Sequence, residues 1–204
     1  MKKTLQWVLA TILLCGLSVT ILTACSSKDD EDDVKSYDVT FAVVLPRATA
    51  SYFDVQLTLT DGSGKSTEQT VTKAANSESF NTLEEQLWSR LYTPYTQTDT
   101  LSVTADDFSD NIVCHYTVKA TSGQKVEYNA IVKARNDYPT AEAGQTTIIF
   151  PVMLAYFLEK GKKDVSYKEL TTMHIWENIK AEELAGFLRT HDGDKVRKGK
   201  VTLP

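Results

Sequence analysis

From Phe53 to Thr60 apolar and polar residues alternate without a break. Phe53, Val55, Leu57 and Leu59 fall on one side, Asp54, Gln56, Thr58 and Thr60 on the other. A period of two is the mark of a strand with one face buried and one face in water. Asp61-Gly62-Ser63-Gly64 follows, and β-branched residues return between Thr67 and Thr72, which predicts a hairpin. Upstream, Phe41, Val43 and Leu45 share one face of a strand that Pro46 stops. Downstream, Leu101 and Val103 give a short strand, and Ile112 to Lys119 alternates again. Ser122-Gly123 turns that strand into a second hairpin carrying Val126, Tyr128, Ala130 and Val132. Thr147 to Phe157 is almost continuously apolar, which predicts a strand buried on both faces or one running through the centre.

About seven strands with turns at this spacing predict a mainly β fold over residues 37–158, an antiparallel β-sandwich of the Ig-like or transthyretin-like kind. Two stretches depart from it. Asn81-Thr82-Leu83-Glu84 has the form of a helix cap with an acid three residues on. Leu83, Leu87 and Leu91 then share a face, so a short helix crosses between the sheets. After the polar break Glu159-Lys160-Gly161-Lys162-Lys163, Ser166-Tyr167-Lys168-Glu169 reads as a second capping box. Leu184, Phe187 and Leu188 form a further helical face that Gly193 closes. Residues 159–204 are too few for an independent domain, and they are predicted as a helical appendage packed on the sandwich.

The N-terminus has a different character. Lys2 and Lys3 precede an uncharged stretch from Thr4 to Ser27 whose apolar centre runs from Trp7 to Leu22. A basic end, an apolar middle and small residues form the pattern of a secretory signal. Leu22-Thr23-Ala24-Cys25 resembles the lipobox of bacterial lipoproteins. That resemblance implies a signal peptide over residues 1–24 and an acylated Cys25 as the mature N-terminus. An uncleaved anchor helix is the competing reading, but Gly16, Ser18, Thr20 and Thr23 soften the stretch as a cleavable signal requires. Residues 25–36 form an acidic tether, because the run Lys28, Asp29, Asp30, Glu31, Asp32 and Asp33 repels itself and stays solvated. Placed directly after a lipobox Cys, the run resembles the export signal of surface lipoproteins of the Bacteroidota. That implies a lipid-anchored protein of the outer membrane facing the cell exterior; a spacer without address information is the alternative.

Composition narrows the partners. The chain has 204 residues, 22 Lys and Arg against 27 Asp and Glu, and a formal charge of -5. Loss of residues 1–24 would remove two lysines and no acid, making the body more negative still. Nucleic acid is a poor partner for such a surface, since phosphate binding needs clustered cations. The lipobox resemblance implies that the membrane is engaged through the N-terminal lipid. Of the three cysteines, Cys15 leaves with the signal and Cys25 carries lipid, so Cys114 stands alone and no intrachain disulfide forms.

No catalytic motif emerges. Cys114 and His115 are adjacent, and on a strand adjacent side chains point to opposite faces, so they form no dyad. Cys114 shares a face with Ile112, Tyr116 and Val118 and is predicted to be a small buried hydrophobe. His115 lies with Val113 and Thr117, solvated or hydrogen-bonded. His174 and His191 are 17 residues apart, without the close pairing zinc wants, so no metal or other cofactor is predicted. The aspartates of His191-Asp192-Gly193-Asp194, and Asp106, Asp107 and Asp110, read as turns lacking the remaining ligands of a calcium loop. Lys195, Arg197, Lys198 and Lys200 read as a solvated basic end.

Trp88, Tyr92 and Tyr95, close around Pro94, are the candidate ligand contacts, because such rings stack on sugars or on a partner protein. The competing reading has Trp88 and Tyr92 covering the sheet beside Leu87 and Leu91. The function that fits is a non-catalytic binding or interaction module serving glycan capture, adhesion or an envelope complex, with a glycan or an envelope protein as partner. The rivals are a cell-surface hydrolase whose carboxylates are distant in sequence and a structural subunit of an envelope complex.

Overall fold

The computed structural model describes residues 35–96, 110–144, 146–147, 152–160, 164–173 and 179–204. The strand expected at Leu101 and Val103 lies outside them. The fold is built around β1 (Ser36–Pro46), which pairs along its whole length with β4 (Asn111–Thr121), from Ser36 opposite Thr121 to Pro46 opposite Asn111. On its other side β1 pairs with β7 (Val152–Lys160), and β7 pairs with β8 (Asp164–Met173). This sheet has the order β4-β1-β7-β8. The second sheet has the order β10-β5-β2-β3, from β2 (Phe53–Thr60), β3 (Ser66–Val71), β5 (Lys125–Ala134) and β10 (Lys195–Thr202). All these pairings are antiparallel. A two-residue pair joins β6 (Thr146–Thr147) to β9 (Ile179–Lys180).

The alternation seen in the sequence sets the faces. Val39, Phe41, Val43 and Leu45 of β1 meet Val55, Leu57 and Leu59 of β2 and Val126, Tyr128, Ala130 and Val132 of β5 in one core between the sheets. Phe41 lies 5.6 Å from Tyr128 of the facing sheet and 6.0 Å from Tyr156 beside it, ring centre to ring centre. The protein is thus an antiparallel β-sandwich, with eight strands in its two main sheets among the described residues.

Part of the first sheet is buried on both sides. Helix α1 (Thr82–Thr96) lays Leu87 and Trp88 on Ala42, Val44, Val113, Met153 and Ala155, the outward residues of β1, β4 and β7. This explains why β7 reads as continuously apolar. The buried face of the helix differs from the expected one. Glu84, Leu87 and Trp88 point inward, whereas Leu83 is 36% exposed. The rotation follows from Glu84, whose carboxylate meets His115 of the sheet.

The C-terminal region carries the expected helix, α2 (Leu184–His191), with Leu184, Phe187 and Leu188 buried and Phe187 edge-on to Phe53 at 6.4 Å. Besides the two-residue β9, it supplies two long strands that local sequence patterns do not reveal. Ser166–Glu169 lies in β8, where the open edge of β7 overrides a local capping signal. The basic segment Lys195–Lys200 keeps its four basic side chains exposed, as expected of a solvated stretch, but its backbone forms most of β10, paired with β5. Its alternation is hidden because Arg197 and Gly199 hold the positions opposite the inward residues Ala130 and Tyr128, leaving Val201, opposite Val126, as the apolar one of the three. Gly193 serves a turn: the Asp194 N–H donates to the His191 carbonyl, with Asp192 at φ -66°, ψ 122° and Gly193 at φ 83°. Those angles are type II, which needs glycine at the third position.

Candidate functional site

The polar half of the second sheet's alternation forms a cleft. Thr58 and Thr60 come from β2, Glu127 and Asn129 from β5, and Lys198 and Lys200 from β10, around a volume of about 380 Å³. Registry orders them in two rows across three strands, Lys198–Asn129–Thr58 and Lys200–Glu127–Thr60. Directly opposed side chains on one face start only about 5 Å apart, so each row presents its functional groups side by side. The volume falls in the range of small-molecule sites.

The centre of the first row is unusual. Asn129 Oδ1 is buried and has no hydrogen-bond partner. An amide oxygen removed from water without a partner costs roughly 1–3 kcal/mol, so the site holds an acceptor in need of a donor. Charge is uncommitted too: Lys198, Lys200 and Glu127 take part in none of the ion pairs formed among the described residues. Gly199, between the two lysines, lets β10 lie against Tyr128. A β-carbon there would stand 2.5 Å from the Tyr128 hydroxyl oxygen.

A second polar cluster sits on the outer face of the first sheet. His115 of β4 is clasped between two carboxylates, its Nδ1 against Glu78 and its Nε2 2.6 Å from Glu84 Oε1. Glu84 also completes a capping box. Its Oε2 accepts the Asn81 N–H at 2.9 Å, while Asn81 Oδ1 accepts the N–H groups of Leu83 and Glu84. The hydrogen bond with Glu84 raises the His115 pKa to about 9, against the opposing effect of burial and with help from Glu78. In turn, the hydrogen bond with His115 holds the Glu78 carboxyl below its usual range. At neutral pH the imidazole is therefore protonated with both N–H groups given to carboxylates. It has no lone pair left to take a proton, so this is a fastening rather than a general base.

Glu78 reaches His115 because its loop runs along the edge of β4. The Glu78 N–H donates to the Val113 carbonyl, and Ser77 Oγ both donates to the Asn111 carbonyl and accepts the Val113 N–H. The Asn111–His115 end of that edge is thereby covered.

The residues singled out in the sequence have different fates. Trp88 is 7% exposed and stacks on Phe80 with ring centres 6.5 Å apart, covering the sheet as the competing reading had it. Its ring is not offered to a ligand. Tyr92 and Tyr95 belong to α1, and their side chains lie outside the described residues. Cys25, the acidic run Lys28 to Asp33, Asp106, Asp107 and His174 also lie outside them. Asp110 pairs with Arg47 at 2.8 Å, and Asp192 Oδ1 accepts the Ala134 N–H. Cys114 is 6% exposed in the core beside Ile112, and burial pushes its thiol pKa up, away from nucleophilic use.

The cleft itself is not apparent from the sequence. Its trace there is the set of polar partners at a spacing of two: Thr58 and Thr60, Glu127 and Asn129, Lys198 and Lys200. Polar alternation on a solvated face carries no warning that three strands converge on one buried amide oxygen. No family model, curated protein sequence or solved structure matches this chain.

Proposed function

We propose that this protein is a lipid-anchored lipoprotein of the outer membrane, displayed toward the cell exterior, whose β-sandwich body captures a glycan without transforming it. The observation that carries the binding role is the unpartnered Asn129 amide oxygen in a cleft of hydroxyls, amines and one carboxylate. A sugar presents hydroxyls, each a donor and an acceptor, and so complements such a surface. The capture role is preferred to hydrolysis because the cleft offers one carboxylate, Glu127, where glycoside cleavage ordinarily uses two flanking the bond. The lipobox resemblance at Leu22–Cys25 and the acidic run behind it support the location.

The test is a carbohydrate array probed with the full chain, lipid intact and held in detergent, beside Asn129→Ala. Retention of a defined set of glycans by the wild type, lost in a variant with the same unfolding temperature, is expected. An array with no retained glycan, or equal retention by both proteins, overturns the reading.

A further inference from the structure

We infer that the sugar taken by this cleft is an acidic one, bearing a carboxylate that pairs with Lys198 while its hydroxyls engage Asn129 and Glu127. This rests on the glycan reading above and adds the ligand's chemical class. Two free ammonium groups project from one strand onto one face of a chain whose net charge is -5. The two are not equivalent. Lys200 stands opposite Glu127, which cancels much of its field locally, whereas Lys198 stands opposite the neutral Asn129. The first row is therefore a cation beside an unsatisfied amide, and the second is a mixed pair beside a threonine. Charge-assisted contacts to a carboxylate are roughly twice as strong as neutral ones, which directs the ligand's acid group to the first row.

Glu127 sharpens the class. A carboxylate accepts hydroxyl protons well and repels other anions, so a ligand charged at every substituent is disfavoured and one with a single acid group among hydroxyls is preferred. The rows are two residues apart along each strand, about 6.6 Å, a span that one pyranose ring with its substituents bridges. Thr58 and Thr60 close the far side; the Thr60 hydroxyl already shares a hydrogen bond with Ser66 at 2.8 Å, so Thr58 is the freer of the two.

Isothermal titration of the full lipidated chain in detergent tests this. The probes are galacturonate, glucuronate and mannuronate trisaccharides, each beside its carboxyl-reduced neutral counterpart, with a sulfated disaccharide as a general anion. At least one uronate should bind tenfold or more tightly than its reduced form. Lys198→Gln should erase that ratio, Lys200→Gln should lower it less, and Asn129→Ala should weaken both forms. Circular dichroism checks that each variant keeps its strands. Equal affinity for acidic and reduced sugars, still dependent on Asn129, would overturn the acidic class and leave the glycan reading standing. If the sulfated probe matches the uronates and the two lysine variants cost the same, the cleft is an unselective cationic surface and the inference fails. Binding of none of these sugars would overturn the acidic class, and the carbohydrate array then decides the glycan reading separately.

Discussion

His115 Nε2 donates to Glu84 Oε1 at 2.6 Å, and the other oxygen of that carboxylate caps the helix on which Glu84 rides. One buried side chain thus ends a helix correctly and ties it to a strand 31 residues away. Two weaker devices, a capping box and an ion pair, share an atom group, and their geometries constrain each other. The helix is set at one rotation, the one that places Leu87 and Trp88 on the sheet. The charge is tolerable in a fully buried position because every oxygen of Glu84 has a donor.

This arrangement predicts a pH profile. The His115 pKa is raised from 6.5 to about 9, so the clasp contributes fully below pH 6.5 and is lost as pH rises through 9. Glu78 is shifted the other way: its contribution is present above its unfolded value of 4.5 and is lost as pH falls through its lowered native value. The unfolding temperature should be highest between about pH 5 and 6.5. On the alkaline side the loss should approach about 3 kcal/mol as an upper bound, because each pH unit between the unfolded and folded values is worth about 1.36 kcal/mol. His115→Gln should flatten that limb. Superimposable profiles for wild type and variant between pH 6 and 10 would show that another group sets the alkaline limb.

The rotation of α1 gives a second prediction. Leu83→Ala should cost under about 0.5 kcal/mol, as ordinary surface changes do. Leu87→Ala should cost about 2–4 kcal/mol, because it opens a cavity over Val44 and Met153. Urea titration of both variants decides it. Similar losses would restore the face expected from leucine spacing alone.

The strands of the sandwich are legible in the sequence because one face of each is apolar at a period of two, as in Phe53–Thr60 and Val126–Val132. The cap at Asn81 is legible too, since it depends on residues three apart. What stays hidden is whatever depends on a distant partner. Leucine spacing puts Leu83 inside, and only the contact with His115 shows why Glu84 takes that place. Ser166–Glu169 carries a local helix signal that pairing with β7 overrules. In β10 the inward side needs a glycine to clear Tyr128, so the apolar rhythm that would have marked it is gone. The cleft shares the fate of β10: without that strand, Thr58 and Asn129 are ordinary surface residues.

Anchoring is tested apart from the fold. The lipobox reading predicts that mature wild-type protein from membranes carries acyl chains on Cys25, and that Cys25→Ser lacks them and is no longer held in the membrane by acyl chains. More than one chain is needed for lasting attachment. Intact-mass measurement of both proteins reads the result. An unmodified Cys25 in the wild type would refute lipidation, and with it the proposed site of display.

Gly199 gives the test that links the core to the cleft. In a strand, alanine is ordinarily preferred to glycine by roughly 0.5–1 kcal/mol, so propensity alone makes Gly199→Ala stabilising. Sterics say the opposite, since the new β-carbon would lie 2.5 Å from the Tyr128 hydroxyl oxygen and 2.8 Å from its ring. Tyr128 has little freedom to withdraw: it is buried, with Phe41 at 5.6 Å on the core side. The expected result is a loss of about 1–3 kcal/mol, the usual cost of overpacking. Shortening the neighbour should relieve it, so in a Tyr128→Val background the same substitution should become neutral or stabilising. The two changes would then be strongly non-additive, as for residues in direct contact. Additive effects in the double-mutant cycle would show that β10 yields without strain. If β10 is instead displaced, Lys198 and Lys200, on either side of Gly199, move with it. Gly199→Ala should then weaken uronate binding as well as stability, whereas Leu87→Ala should lower stability alone.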